Sequence, residues 1–504
     1  MKPQSRLLLF IFLLSTWKAA FSADPLPLWE AMERAAQFNP AIKSQQAEVS
    51  RQTLEQEIAR GQHLPRLDLN AAYTRHAYPT LITPIREAGV FPPMDRDIAN
   101  IGLALTLPLY RGGKLVAGEA LAAHSREASV QGLRASGQDL LFNVVATYTK
   151  ALHFRQLGQV IDSRIQVLQR EEKDIGLRIR EGRAARLDLI RLQTQLSQAR
   201  YDKVSVTQGE KDALSLLVAL LGERGPAPVL AELGVTAPVL PASFEAALSR
   251  ALQQRPDLLG LDAAGRAAQQ KTAIARGDRL PQVDLVARAQ ESAGGDWKGY
   301  DDAQIGVQLS LSLFDGSIRR RRVEQAVIEQ RQNALLQEDA HNRIASEVEQ
   351  AFGALAESRA RLDAAAQGET EAGEALRIET LRYRSGENTI TDLLGAESAL
   401  WSATANRLQA GYDIAVSQAR MLRATGELAP DSFRPADGGR KTGLQPSSSG
   451  IGARTPAHYL AWHGGVAACG IGIAAGVAHS AAVPDQNFAA KTLAGYAIQQ
   501  GARL

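Results

Sequence analysis

The chain has few residues whose spacing would support catalysis. Its eight histidines are scattered and show no zinc-ligand spacing. They are His63, His76, His124, His153, His341, His458, His463 and His479. Gly112-Gly113 lacks the lysine and serine of a phosphate-binding loop and is interpreted as a tight turn. Cys469 is the single cysteine, so an intrachain disulfide is excluded. With no nucleophile or paired-carboxylate site visible, we predict no enzyme, no metal and no cofactor.

Two aspartates stand at equivalent places, each six residues after a glycine. Asp188 follows Gly182, and Asp392 follows Gly386. One interpretation is local, because the helix dipole stabilises an acid in the first turn of a helix by roughly a few tenths of a kcal/mol. If several copies of the chain met on an axis, the carboxylates would instead form rings. Such rings repel internally, raise the pKa of their members and attract cations.

The N-terminus predicts export. Lys2 and Arg6 precede the apolar run Leu7–Leu14, and small residues follow as far as Ala23. This is typical of a signal peptide, here 1–23, since the run is short for a membrane anchor. The peptide holds three of the 57 basic residues and no acid, which leaves 54 basic against 54 acidic residues. A net charge of zero does not indicate a nucleic-acid partner.

The chain repeats itself in a constant register. Gly61–Pro65 recurs as Gly277–Pro281, 216 positions later. Ile101–Tyr110 recurs as Ile305–Phe314, and this second offset of 204 persists to the end of the repeat. The change in offset places a longer loop in the first copy. A shared register of this length indicates an internal duplication.

Each repeat is predicted to contain a helix, two strands, a long helix and a shorter helix. The first repeat, 24–235, has strands at about 65–76 and 99–110 and helices at 114–180 and 188–221. The second, 236–430, has strands at about 281–291 and 303–314 and helices at 317–384 and 390–426. Apolar residues alternate along the strands and would contact lipid if the protein enters a membrane. The lipid-facing candidates are Leu103, Leu105, Leu107, Val307, Leu309 and Leu311.

The long helices carry a coiled-coil pattern. Lys114–Arg180 contains no proline and as one helix would be on the order of 100 Å long. Apolar residues recur every three or four positions, and Glu172 is the polar intruder among them. They are Ile161, Ile165, Leu168, Ile175 and Ile179. We expect Ala41–Arg60 and Asp188–Leu221 to stack end to end against this helix. Heptads alone favour a periplasmic or surface coiled-coil protein without a pore, and it is the signal peptide and the apolar strand faces that favour a membrane protein.

Four strands cannot close a barrel, and exposed strand edges are not tolerated in a bilayer. Three copies related by cyclic symmetry would supply twelve strands. The predicted fold is therefore mainly α with a small β part. A trimeric 12-stranded outer-membrane β-barrel, with four strands per chain, continues into a long α-helical coiled-coil barrel.

These features together resemble the TolC family of outer-membrane efflux proteins. The resemblance rests on the duplication, on the strand-to-helix junctions Leu109–Gly113 and Leu313–Gly316, and on the turns Arg180–Gly182 and Arg384–Gly386. It implies a homotrimer in outer-membrane lipid that conducts substrates from the periplasm to the exterior. It also implies two partners, a periplasmic adaptor protein and an inner-membrane pump.

The resemblance also implies roles for individual residues. Asp392 matches an aspartate of the pore constriction, while Gly395 stands where the family has a second one. Tyr383 and Asp188 match a hydrogen-bonded latch that holds the tip shut. Asn388 replaces the arginine of a second latch. The expected adaptor-docking positions are Arg180, Gly182, Arg384 and Gly386.

After Pro430 the repeat pattern stops. Residues 431–504 are rich in Gly, Ala and Pro and have no counterpart in the first repeat. Disorder is the default prediction for such a composition. A reading-frame artefact or an additional module are the alternatives.

Overall fold

A computed structural model of the chain describes residues 25–233 and 238–434. Its helices are α1 Leu28–Phe38, α2 Pro40–Gly61, α3 Lys114–Arg180, α4 Arg186–Leu221, α5 Phe244–Gln254, α6 Pro256–Gly277, α7 Ile318–Ser385 and α8 Ile390–Thr425. Its strands are β1 Arg66–Leu81, β2 Met94–Tyr110, β3 Gln282–Ala293 and β4 Gly299–Ser310. The predicted signal peptide, and the predicted tail from residue 435 onward, lie outside the described residues.

The two halves have the same order of elements, which is two helices, two strands, a long helix and a shorter helix. This order confirms the predicted fold class, a mainly helical chain with a small antiparallel strand part. The long helix α3 begins and ends at the predicted residues, and the bounds of α7 and α8 differ from prediction by one residue. No helix in the described part of the chain combines the length and the apolar character needed to cross a membrane.

The four strands form one antiparallel sheet in the order β1-β2-β3-β4. Because β2 pairs with β3, the two repeats share this sheet. Its register aligns Leu103 with Leu69 on one side and Ala289 on the other. Further along, Leu285 lies between Leu107 and Val307. Since side chains alternate between faces, these residues make one face apolar, and the polar residues between them occupy the other face.

The first pair of strands is longer than predicted. β1 continues to Leu81 and β2 starts at Met94, so the segment between the two strands is 82–93 and not the predicted 77–98. Pro79 lies within β1, near a shift in the ladder between Arg75 and Thr80. An edge strand tolerates a proline because one of its sides has no ladder partner.

The position of β4 corrects the prediction in the second repeat. It runs from Gly299 to Ser310, so Leu311 lies beyond the strand. Ser310 pairs with Gln282, the first residue of β3. The residue before Gln282 is Pro281, which has no N–H to extend the ladder. Leu311 is therefore exposed next to the sheet, not within a lipid-facing strand.

Helices α2 and α4 stack end to end along α3, as expected. Asn39 caps α2 by accepting the N–H of Ala41 at 2.8 Å. Its Nδ2 donates to the carbonyl of Leu220 at 2.8 Å, at the end of α4. At the matching junction of the second repeat, Arg255 pairs with Asp257 and Glu347, each at 2.6 Å.

A buried tyrosine at the middle of α3 contacts two segments that are distant from it in sequence. The hydroxyl of Tyr148 lies 2.7 Å from the carbonyl oxygen of Leu26 and 2.6 Å from that of Ala231. Residues after α8 also pack against α1. They form a 3-10 helix at Pro430–Phe433, and the guanidinium of the next residue, Arg434, lies 4.4 Å from the ring of Trp29. The predicted tail thus begins several residues too early, since these contacts hold residues 431–434 against α1.

Candidate functional site

The tip consists of two turns, residues 181–185 and 386–389, and the four helix ends that meet at them. Gly182 follows the end of α3 with a φ of +70°, and Gly386 follows α7 with a φ of +83°. Glycine adopts this left-handed conformation without the steric cost that a side chain would add. In the second turn, the N–H of Glu387 donates to the carbonyl of Arg382 at 2.9 Å.

The tip turns of the two repeats share one apolar core. It contains Leu168 and Ile175 of α3, Leu192, Leu196 and Ala199 of α4, and Ile390, Leu393 and Leu394 of α8, with Leu376 and Tyr383 of α7 packed against them. A hydrogen bond also joins the repeats directly, since Nη1 of Arg191 donates to Oγ1 of Thr391 at 2.7 Å. The four helix ends therefore form a single structural unit.

The expected docking residues are on the surface of this unit. Arg180, Gly182, Arg384 and Gly386 are all exposed. Among the described residues, no carboxylate lies within 4.0 Å of the guanidinium of Arg180 or Arg384. Both positive charges are available to another molecule.

Asp392 acts locally as a helix cap. Its Oδ2 accepts the hydroxyl of Thr389 at 2.6 Å and the N–H of the same residue at 3.1 Å. These bonds stabilise the ionised form, so they lower the pKa of Asp392 below its ordinary value, with the hydroxyl contributing most. The residue is exposed in the single chain, and a Cβ added at nearby Gly395 would meet nothing within 4 Å.

The expected latch between Tyr383 and Asp188 is not formed in this chain. No hydrogen bond joins the two side chains among the described residues. Oδ2 of Asp188 instead accepts the N–H of Ala185 at 3.3 Å, which caps the first turn of its own helix. The ring of Tyr383 faces the guanidinium of Arg178 at 5.4 Å. Burial raises the pKa of the Tyr383 phenol, Arg178 opposes that shift, and the charge of Asp188 adds to it.

Asn388, which stands at the position of the second latch, contacts its own half of the chain. Its amide Nδ2 donates to the carboxylate of Glu379 on α7. The second turn is thus tied to the helix that precedes it.

A pair of carboxyl groups lies between α3 and α8, and it was not predicted from the sequence. Glu171 of α3 and Glu397 of α8 face each other, and both are half-buried. Oε2 of Glu171 is buried and has no hydrogen-bond donor among the described residues. Burial raises the pKa of Glu171 to about 8, because it disfavours the charged form. Protonated Glu171 can donate a hydrogen bond to Glu397, and this bond and the charge of Glu397 raise the pKa of Glu171 further.

By its spacing, the neighbouring residue Glu172 is the polar intruder in the apolar stripe of α3. Oε1 of Glu172 accepts a hydrogen bond from Nε2 of Gln193 at 2.9 Å, so Glu172 faces α4. A signal for Glu171 was nevertheless present, because it lies three residues after Leu168 and four before Ile175, on the same stripe of α3. Only the packing of α8 decides which of the two glutamates it meets.

An arginine and a tryptophan extend this polar layer. The guanidinium of Arg164 lies 5.0 Å from the ring of Trp401, and its Nη2 donates to Gln195 at 3.0 Å. Nε of Arg164 and Nε1 of Trp401 are buried without a partner among the described residues. Burial lowers the pKa of Arg164 and raises that of Glu397, while the charge of Arg164 opposes the second shift.

The described residues contain no cluster of three or more His, Cys, Asp or Glu side chains that could hold a metal ion. The chemistry available at the tip is that of exposed arginines, capping carboxylates and a half-buried carboxyl pair.

Comparison with known proteins connects this architecture to one family. A family model described as outer membrane efflux protein matches residues 31–223 and 247–427. The protein CyaE of Bordetella pertussis is 27% identical over 414 residues, which cover 80% of this chain and 85% of CyaE. The alkaline protease secretion protein AprF of Pseudomonas aeruginosa is 28% identical over 435 residues, which cover 83% and 87% of the two chains.

The fold also matches solved structures. The Campylobacter jejuni CmeC outer membrane channel superimposes with a TM-score of 0.70 at 18% identity. The superposition covers 79% of this chain and 85% of CmeC.

Proposed function

This chain belongs to the outer membrane efflux protein family, and from that premise we propose that it is the outer-membrane channel of a tripartite export system. It conducts substrates passively from the periplasm to the exterior. The observation that carries the proposal is the four-stranded sheet, which has one continuous apolar face and leads directly into the long helices α3 and α7.

The channel is completed by two further copies of the chain. Strands β1 and β4 are the edges of the sheet, and each pairs with one strand among the described residues. Unpaired strand edges are too costly to expose to lipid. With four strands per chain, three copies supply twelve strands, an even number typical of such barrels.

The channel receives its cargo through partners. The two exposed turns carry Arg180 and Arg384, whose charges are not paired within the described chain. We assign these turns to docking of a periplasmic adaptor protein, which would link the channel to an inner-membrane pump.

Asp392 forms the pore constriction in this proposal. Its capped carboxylate remains ionised, so three copies would place a ring of negative charge at the tip. Because Gly395 adds no second carboxylate, the ring carries less charge and leaves a wider opening than two rings would.

The cargo class that we propose is protein. The support is the name of AprF, which refers to secretion of an alkaline protease. Loss of one or more proteins from the culture medium after deletion of the gene, with restoration by complementation, would support it. If only small-molecule tolerance changes, the cargo is not protein.

The channel function is tested with the purified full chain in detergent. We expect a trimer by sizing, a heat-modifiable barrel on electrophoresis, and discrete conductance steps in planar bilayers. A structural coiled-coil protein without a pore would be extracted without detergent and would give no conductance.

A further inference from the structure

We propose that Glu171 of α3 and Glu397 of α8 share one proton and thereby act as a pH-sensitive clasp of the tip. With the proton in place the two carboxyl groups hold α8 against α3. Once it is lost, two adjacent carboxylates repel each other and the contact loosens. The effect on conductance rests on the proposed channel function, whereas the sharing of the proton does not.

The geometry requires a donor that no neighbouring side chain supplies. Ionised carboxylates only accept hydrogen bonds. Oε2 of Glu171 is nevertheless buried without a donor among the described residues. After burial itself, the interaction with Glu397 contributes most to the raised pKa of Glu171. A proton held between the two groups provides the missing hydrogen bond and removes one of two like charges. Two carboxyl groups that interact strongly bind protons as a unit.

The surrounding charges do not replace this proton. On α3, Asp174 adds negative charge, and on α7, Arg384 adds positive charge at longer range. Arg164 also attracts Glu397, but it is engaged with Gln195 of α4 and the ring of Trp401, and Asp202 of α4 lies near it. Among the described residues, no arginine or lysine nitrogen comes within 4.0 Å of either carboxyl group.

The phenol of Tyr383 on α7 is the remaining titratable group close to the pair. The charge of Glu171 contributes to the raised pKa of this phenol. Tyr383 therefore stays neutral wherever the carboxyl pair titrates, and it does not compete for the proton.

The clasp is connected to the pore through one short helical segment. Glu397 lies five residues after Asp392, on the same helix and beside the core residues Leu393 and Leu394. A displacement of α8 relative to α3 would therefore move Asp392. Since the shared proton is lost as the pH rises, the tip should be held most tightly at mildly acidic pH.

Infrared spectroscopy of the purified trimer tests for the proton itself. The absorption band of protonated carboxyl groups should persist to higher pH than an ordinary glutamic acid allows, and it should disappear as the pH rises through about 8. We expect Glu171→Gln to remove this band. Glu172→Gln is the matched control, because Glu172 faces Gln193 and should leave the band in place. An unchanged band in Glu171→Gln, or no such band in the wild-type protein, would overturn the proposal.

Conductance tests the consequence. Wild-type channels should conduct more as the pH rises through the same range, and Glu171→Gln should lose this dependence while Glu172→Gln keeps it. An identical pH profile in wild type and Glu171→Gln would contradict the clasp. If Glu171→Gln does not assemble, Glu397→Gln serves instead, because it removes the other carboxyl group. Wild-type trimers that conduct at no pH would refute the channel function. The infrared result would still show whether Glu171 and Glu397 share a proton.

Discussion

Thr389 and Asp392 cap each other at the start of α8. The Thr389 hydroxyl donates to Oδ2 of Asp392 at 2.6 Å, and Oγ1 of Thr389 accepts the Asp392 N–H at 3.4 Å. The cap holds the carboxylate in one orientation and keeps it ionised. The local and the pore interpretations of Asp392 are therefore compatible, because a capped carboxylate can also belong to a ring.

The first prediction separates charge from capping at this position. Asp392→Asn removes the charge and should reduce the preference of the channel for cations, measured as the reversal potential in a salt gradient. Thr389→Ala retains the charge but removes the N-cap, which should lower the stability of the tip by about 1 kcal/mol and leave selectivity near that of the wild type. Unchanged selectivity in Asp392→Asn would place the constriction elsewhere.

The second prediction concerns the latch. Because the phenol of Tyr383 makes no hydrogen bond to Asp188 in the described chain, Tyr383→Phe should leave single-channel conductance unchanged, alone or with Asp188→Ala. Tyr383→Ala also removes the ring that faces Arg178, a contact worth about 0.5–1 kcal/mol at a partly exposed site, and should destabilise the tip. A higher conductance in Tyr383→Phe with Asp188→Ala would restore the latch that the family resemblance implies.

A third prediction tests the shared core of the tip. Ile175 and Leu192 are almost completely buried there, at 1% and 0% exposure. Replacing either with alanine leaves a cavity and should cost about 2–5 kcal/mol in denaturant unfolding. Leu177→Ala is the control on the same helix, since Leu177 is 53% exposed and the change should stay within about 0.5 kcal/mol. Equal effects at the buried and exposed positions would show that the four helix ends do not pack as one unit.

The fourth prediction assigns the two faces of the sheet. Val307 and Gln308 are neighbours in β4, are both exposed in the single chain, and point to opposite faces. Val307→Arg places a charge on the apolar face and should disfavour insertion by about 2–4 kcal/mol near the bilayer midplane. Gln308→Arg should insert normally. The heat-modifiable fraction in isolated outer membranes measures this, and the reverse order would mean that the faces are assigned wrongly.

A fifth prediction follows from the raised pKa of Glu171. An acid whose pKa is higher in the folded than in the unfolded state binds its proton more tightly when folded. Its contribution to stability is thus complete below the ordinary glutamic acid value of 4.5 and is lost as the pH rises toward about 8. The thermal unfolding temperature should decline across this window in the wild type. The decline should be smaller in Glu171→Gln, and Glu172→Gln should follow the wild type.

Much of the helical part could be predicted because its determinants are local. The start and end of α3 depend on Gly113 before it and on the glycine turn after it, and both are visible in the sequence. Strand ends were predicted less well, because a strand continues only while its neighbour offers a partner. Pro281, which precedes β3, therefore ends the pairing of β4. The alternation of apolar residues within β4 gives no sign of where that strand ends.

The duplication, the mainly helical fold, the strands with one apolar face and the two glycine turns all follow from the amino-acid sequence. Hydrophobic periodicity and turn residues depend only on a few neighbouring positions, so they can be recognised in the sequence alone. The packing of the helices is needed to see that Glu171, and not Glu172, meets α8, and that Asp188 caps its own helix instead of bonding Tyr383. Adjacent residues on a helix point about 100° apart, so a small rotation of the packing decides which one is buried against a neighbour. The polar contacts of the tip depend on that rotation, and no local pattern specifies it.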